Sequence, residues 1–201
     1  MISVDLGSRT TKAVLLERRG EVLALTRYAL LDAPIFEKKI SPELLGDHLR
    51  SVAEALGNTT KYITMSVGLD DAMVRQVELP QIPLDEMRQI LKVNHKGYLQ
   101  QDLPNHVFDC YIIPPRLQSV ADKTSESARA GGSAPKLKVL AAAAKQQLVN
   151  DFMAATNAAG LIAECMVPGL VGPINTFEQA LPEILARETI ALVDMVSNTL
   201  R

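Results

Sequence analysis

Ile2-Ser3-Val4-Asp5-Leu6-Gly7-Ser8-Arg9-Thr10-Thr11-Lys12-Ala13-Val14-Leu15-Leu16 decides how this chain is read. Two apolar runs, Ile2–Leu6 and Thr11–Glu17, flank a short polar segment, which predicts two strands joined by a tight turn. The turn brings together a carboxylate, a glycine and three hydroxyl side chains. Gly7 allows close backbone approach to an anion, and amide N–H groups at such a turn point at phosphate oxygens. The Asp5 carboxylate could hold Mg²⁺, usually through water. Asp5 as a cap of a plain turn, and Lys12 as a solvent-facing strand residue, are the competing readings.

Working outward, Val22–Leu31 predicts a third strand after the turn Arg18-Arg19-Gly20-Glu21. Ser41-Pro42-Glu43 starts a helix, with Ser as N-cap and Pro at the first helical position. Leu45, Leu49, Val52, Ala53 and Leu56 share one face, and Gly57-Asn58 stops the helix. Tyr62–Val67 follows as a buried strand, completing a β-β-β-α-β order. A second unit begins after Gly68-Leu69-Asp70-Asp71, a turn with a weak alternative as a metal site. It holds a strand over Met73–Leu79, a helix from Leu84 to about Gln101 weakened at Gly97, and strands over Val107–Ile113 and Leu137–Ala144. Between the last two, residues 117–136 are rich in Ser, Ala, Gly, Lys and Glu and read as a mobile loop. Gln146–Ala159 predicts a helix with Leu148, Val149, Phe152, Met153 and Thr156 inward. A strand over Leu161–Val167 follows. A helix over Gly169–Ala180 is interrupted by Gly172 and Pro173, and a short helix covers Pro182–Arg187. A last strand, Thr189–Val193, runs into Asp194.

The 201 residues suffice for a real core, in one large domain or two small ones. Aromatic residues are only 4% and Trp is absent, so Leu, Val, Ile, Ala and Met must build that core. A net charge of −2 without a Lys/Arg cluster argues against nucleic acid. Cys110 and Cys165 lie in apolar runs and read as buried free thiols of a reducing compartment, with a disulfide as the alternative. His48, His95 and His106 have no metal-ligand spacing. No segment approaches the ~20 apolar residues of a membrane span and no signal peptide precedes Ile2, so a cytoplasmic location is expected.

The opening stretch Ile2 to Val14 resembles the first phosphate motif of actin-like ATPases, in the form found in PilM-type proteins of type IV pilus assembly. Three further stretches agree. Val74-Arg75-Gln76-Val77-Glu78-Leu79-Pro80 resembles the start of that family's inserted subdomain. Val139 to Lys145, continuing through Ala159-Gly160-Leu161, resembles the return from it. Ala191-Leu192-Val193-Asp194 resembles the strand leading to the second phosphate motif. The resemblance implies an α/β fold with an α+β insert, of the actin-like (ribonuclease H-like) kind. Subdomain 1A would span 1–67 and 165–188, inserted subdomain 1C 68–164, and 189–201 the first strand of subdomain 2A, where the fold would be truncated. It implies ATP with Mg²⁺ held by Asp5, Gly7, Ser8, Arg9, Thr10, Thr11, Lys12, Ser197 and Thr199. Asp5 would be the metal residue, through water, and Asp194 would orient metal or attacking water. It also implies a cytoplasmic scaffold of the pilus assembly platform. The N-terminal cytoplasmic peptide of a PilN-like inner-membrane protein would dock between 1A and 1C and supply the membrane association.

Position 196 is Val where an Asp-x-Gly motif would have glycine, and a β-branched residue resists close phosphate approach. Either the second motif is altered or the register differs; at most a slow ATPase is expected. A GspL-like scaffold of type II secretion without nucleotide, an FtsA-like cell-division protein and a sugar- or acetate-kinase-type phosphotransferase are the alternatives. The last needs a general base, and the sequence offers none.

Overall fold

A computed structural model describes residues 1–7, 9–34, 41–68, 71–114 and 135–193. Strands β1 (Ile2–Leu6), β2 (Thr10–Arg19) and β3 (Val22–Asp32) form an antiparallel meander. The β2–β3 turn tightens to Gly20-Glu21, with Gly20 at φ +66, so both strands run longer than the pattern predicts. Helix α1 (Pro42–Ala55) starts as expected: the Ser41 hydroxyl accepts the Leu44 N–H at 3.2 Å. It ends at Gly57, φ +85, and the Arg27 guanidinium of β3 caps its last turn by donating to the Leu56 carbonyl. Strand β4 (Tyr62–Val67) then runs parallel to β1.

The chain next builds a smaller sheet from β5 (Ala72–Pro80), β6 (His106–Ile112) and β7 (Lys136–Lys145), in the order β5-β7-β6. Two helices cover it, α2 (Leu84–Val93) and α3 (His95–Leu99). The expected single helix through Gln101 breaks at Asn94. A Cβ on Gly97 would stand 2.6 Å from the Asn94 side chain, so glycine is what lets α3 fold back on that break. The loop expected over 117–136 lies outside the described residues up to 134; its last residue, Lys136, begins β7.

Helix α4 (Gln146–Ala158) and strand β8 (Ile162–Pro168) return to the larger sheet, whose order is β3-β2-β1-β4-β8. Phe152 and Ala155 of α4 belong to the core of the larger sheet with Leu45, Leu49 and Val52 of α1. Helix α4 thus buries its apolar side against α1 of the larger sheet rather than against the small sheet. Met153, expected inward, is 51% exposed, and Ala155 fills the inward position instead. Small residues allow that close approach: a Cβ on Gly46 would meet the Ala155 carbonyl and the Ala158 Cβ at 3.1 Å.

Helices α5 (Val171–Ala180) and α6 (Pro182–Arg187) are the last regular elements among the described residues. Pro173 does not interrupt α5, since it lies in the first turn, where the N–H has no intrahelical acceptor to lose. The strand expected over Thr189–Val193 does not form. A strand needs a neighbour for its N–H and C=O groups, and no described strand lies beside this segment. Cys110 is buried as expected, whereas Cys165 on the edge strand β8 is exposed, and both are free thiols.

Candidate functional site

The β1–β2 turn and the carboxyl ends of three parallel strands meet at one end of the larger sheet. Asp5 pairs in register with Lys12 across the hairpin and with Ser66 on β4. Its carboxylate lies 3.5 Å from the Lys12 ammonium, and the two side chains are 50% and 64% exposed. The Asp5 carboxylate is thus half in water, paired loosely with a lysine.

Gly7 donates its N–H to the Thr10 carbonyl at 3.1 Å, closing the turn. A Cβ at Gly7 would come within 2.6 Å of that carbonyl oxygen, so space, not backbone angle, demands glycine. The Gly7 N–H is consequently committed inside the turn. Arg9 accepts the Ala33 N–H at 2.8 Å through its carbonyl, tying the turn to the end of β3. Thr10 pairs with Asp32. Thr11 is fully buried, and its hydroxyl meets the His48 ring of α1 at 2.7 Å, away from Asp5. Burial lowers the His48 pKa below its ordinary value, keeping the ring neutral near pH 7.

Two further residues at this end of the sheet lie outside the expected motif. Ser66 pairs with Asp5 on the adjacent strand, and Gly169 stands just past β8, where a Cβ would lie 3.0 Å from the Ser66 hydroxyl. Gly169 also donates to the Val67 carbonyl at 2.8 Å. The alternation of β4 and the glycine directly after β8 were the available clues. Carboxyl ends of parallel strands are where open α/β sheets bind ligands. Of the other expected site residues, Ser8, Asp194, Ser197 and Thr199 lie outside the described residues.

A cavity of about 310 Å³ lies apart from Asp5, at one end of the small sheet. Met73 and Leu103 give it apolar wall, and Asp71, His106 and Lys145 give it charge or polarity. His106 Nδ1 lies 2.7 Å from the Pro104 carbonyl. The start of α4 is held there by the Gln146 N–H, which donates to the Asn105 carbonyl at 2.8 Å. Asp70 of the expected turn lies outside the described residues, and no group of three His, Cys, Asp or Glu side chains gathers among the described ones. Cys110 offers no nucleophile: burial, then the Asp109 charge, push its thiol pKa up.

The two-sheet α/β arrangement defines a class, the PilM-like fold. A chain of a PilM-PilN type IV pilus biogenesis complex superposes with a TM-score of 0.71 at 19% identity, over 90% of this chain. This chain spans about half, 51%, of that one. The cytoplasmic domain of EpsL, an inner membrane component of the type II secretion system of Vibrio cholerae, aligns with a TM-score of 0.48 at 12% identity, over 83% of this chain and 56% of that one. No family model and no curated protein matches. No helix among the described residues is long and apolar enough to cross a membrane.

Proposed function

We propose that this chain is part of an actin-like scaffold of type IV pilus assembly, working on the cytoplasmic side of the inner membrane. One observation carries the reading. The fold shared with the PilM-PilN chain sets the Asp5–Lys12 hairpin at the carboxyl ends of parallel strands β1, β4 and β8. In subdomain terms, 1A would comprise the larger sheet with α1 and α4, and 1C the small sheet with α2 and α3.

Asp5 fits an outer-sphere Mg²⁺ because its carboxylate is half in water and open to a metal's water shell, with Lys12 free to turn to phosphate. Lys12 and the turn at Gly7, Arg9 and Thr10 would meet the phosphates of ATP, and Thr11 would contribute through its backbone position rather than its hydroxyl. When bound, the metal would offset phosphate charge. The residues of this chain would bind and orient the nucleotide. The partner would be the N-terminal peptide of a PilN-like inner-membrane protein, docked between 1A and 1C. Nucleotide would alter partner affinity only by binding two arrangements of the units unequally.

A scaffold of GspL type, without nucleotide, is the second reading, favoured by Val196 where a phosphate-motif glycine is expected. Calorimetric titration with the PilN-like N-terminal peptide, with and without Mg-ATP, separates the two. Peptide binding that Mg-ATP modulates supports the nucleotide-responsive scaffold. Peptide binding with no response to Mg-ATP moves the assignment to the second reading, and no peptide binding removes the pilus-scaffold assignment.

A further inference from the structure

We propose that His48 is a positioning residue for the phosphate turn, holding the buried Thr11 hydroxyl so that helix α1 braces the β1–β2 hairpin from behind. The inference rests on the nucleotide reading of that turn and deepens it.

Two polar residues are buried among the described ones, Thr11 and Thr156. Thr156 solves its problem locally, donating within its own helix to the carbonyls of Phe152 and Met153. Thr11 sits in a strand and has no such carbonyl in reach, so its hydroxyl goes to His48, 37 residues away. Its layer is otherwise apolar, with Val4, Ala13, Leu15, Leu45 and Leu49 all buried. A hydroxyl in that layer costs stability unless it is paired, and valine would fill the same space without the cost. The pair is therefore a specifying contact rather than a packing one. It also lies where it matters: Thr11 directly follows Thr10, whose carbonyl closes the turn on the Gly7 N–H.

The helix carrying His48 is itself fixed. Gly46 packs against Ala155, and Arg50 donates to the Ala158 carbonyl at 2.8 Å while pairing with Asp47 at 2.7 Å. A side chain on a rigid element, bonded to the strand that leaves the turn, limits how far the turn can open. His48 needs no contact with nucleotide for this.

The test combines amide exchange with nucleotide affinity. In the protein without nucleotide, His48→Ala and Thr11→Val should each speed exchange of the Gly7 amide about fivefold, the worth of one hydrogen bond. The double variant should be no faster than either single one, and core amides such as that of Val139 in the small sheet should speed no more than the measured loss of global stability allows. Mg-ATP affinity should fall about fivefold in each single variant and no further in the double, and His48→Gln should recover part of it. An unchanged Gly7 amide, or effects that multiply in the double variant, would overturn the bracing role. Thr11→Val keeps side-chain volume and carries the test if His48→Ala does not fold. Wild-type protein that shows the exchange pattern but no Mg-ATP binding would remove the nucleotide reading and leave the brace standing.

Discussion

The two faces of the β1–β2 hairpin stand in sharp contrast. On one face Thr11, Ala13 and Leu15 are sealed beneath α1, and even the threonine hydroxyl is spoken for. One residue along, Lys12 points to the other face, where it meets Asp5 in water beside Tyr28 and Leu30 of β3, 75% and 68% exposed. Strand alternation produces this contrast with no special chemistry. It gives the hairpin a rigid back and a reactive front, so substitutions on the two faces should fail in different assays.

The largest expected effect tests the back. Leu49→Ala, in a fully buried α1 position, should lose roughly 2–5 kcal/mol of unfolding free energy in urea titration. Leu30→Ala on the open face should change it by less than about 0.5 kcal/mol. Equal losses would show that the open face is covered, and the contrast would fail. Gly7→Ala comes next. Its Cβ would overlap the Thr10 carbonyl, so a loss of about 1–3 kcal/mol is expected, with the same titration as the check.

A pH series sharpens the same division. The folded pKa of His48 lies below its unfolded value of 6.5, so the unfolded chain binds the extra proton more readily. The contribution of His48 is fully present above pH 6.5 and is lost as pH falls through the folded value. Urea midpoints of wild type should drop over that window more steeply than those of His48→Gln. Parallel slopes would place the imidazole in water. A small stability effect is also expected at the front: Lys12→Ala should cost less than about 1 kcal/mol, as for an exposed pair, while weakening any anion held at the turn.

Much of this was legible in the sequence, and the reasons are local. Ser41-Pro42 and Gly57-Asn58 bracket α1 because capping is chemistry of a few adjacent residues, and short apolar runs marked β1, β2 and β4. The small sheet was placed with nearly correct strands. What sequence could not assign was the layer to which α4 belongs. Met153 and Ala155 are both plausible inward residues until Gly46 on α1 is known to approach, a contact over a hundred residues distant. The helix break at Asn94 and the exposure of Cys165 depend similarly on tertiary neighbours. At the site, Asp5, Gly7 and Lys12 were readable as a motif, whereas Ser66, Gly169 and His48 are joined to it only by strand register and packing.

Whether the hairpin front holds a nucleotide is the central question. Calorimetric titration of Mg-ATP into the wild-type protein and into Asp5→Ala addresses it directly. Saturable binding by wild type, lost or weakened at least tenfold, about 1.4 kcal/mol, in Asp5→Ala with an unchanged urea midpoint, is the predicted result. Binding of equal strength in both proteins, or none in wild type, would contradict it.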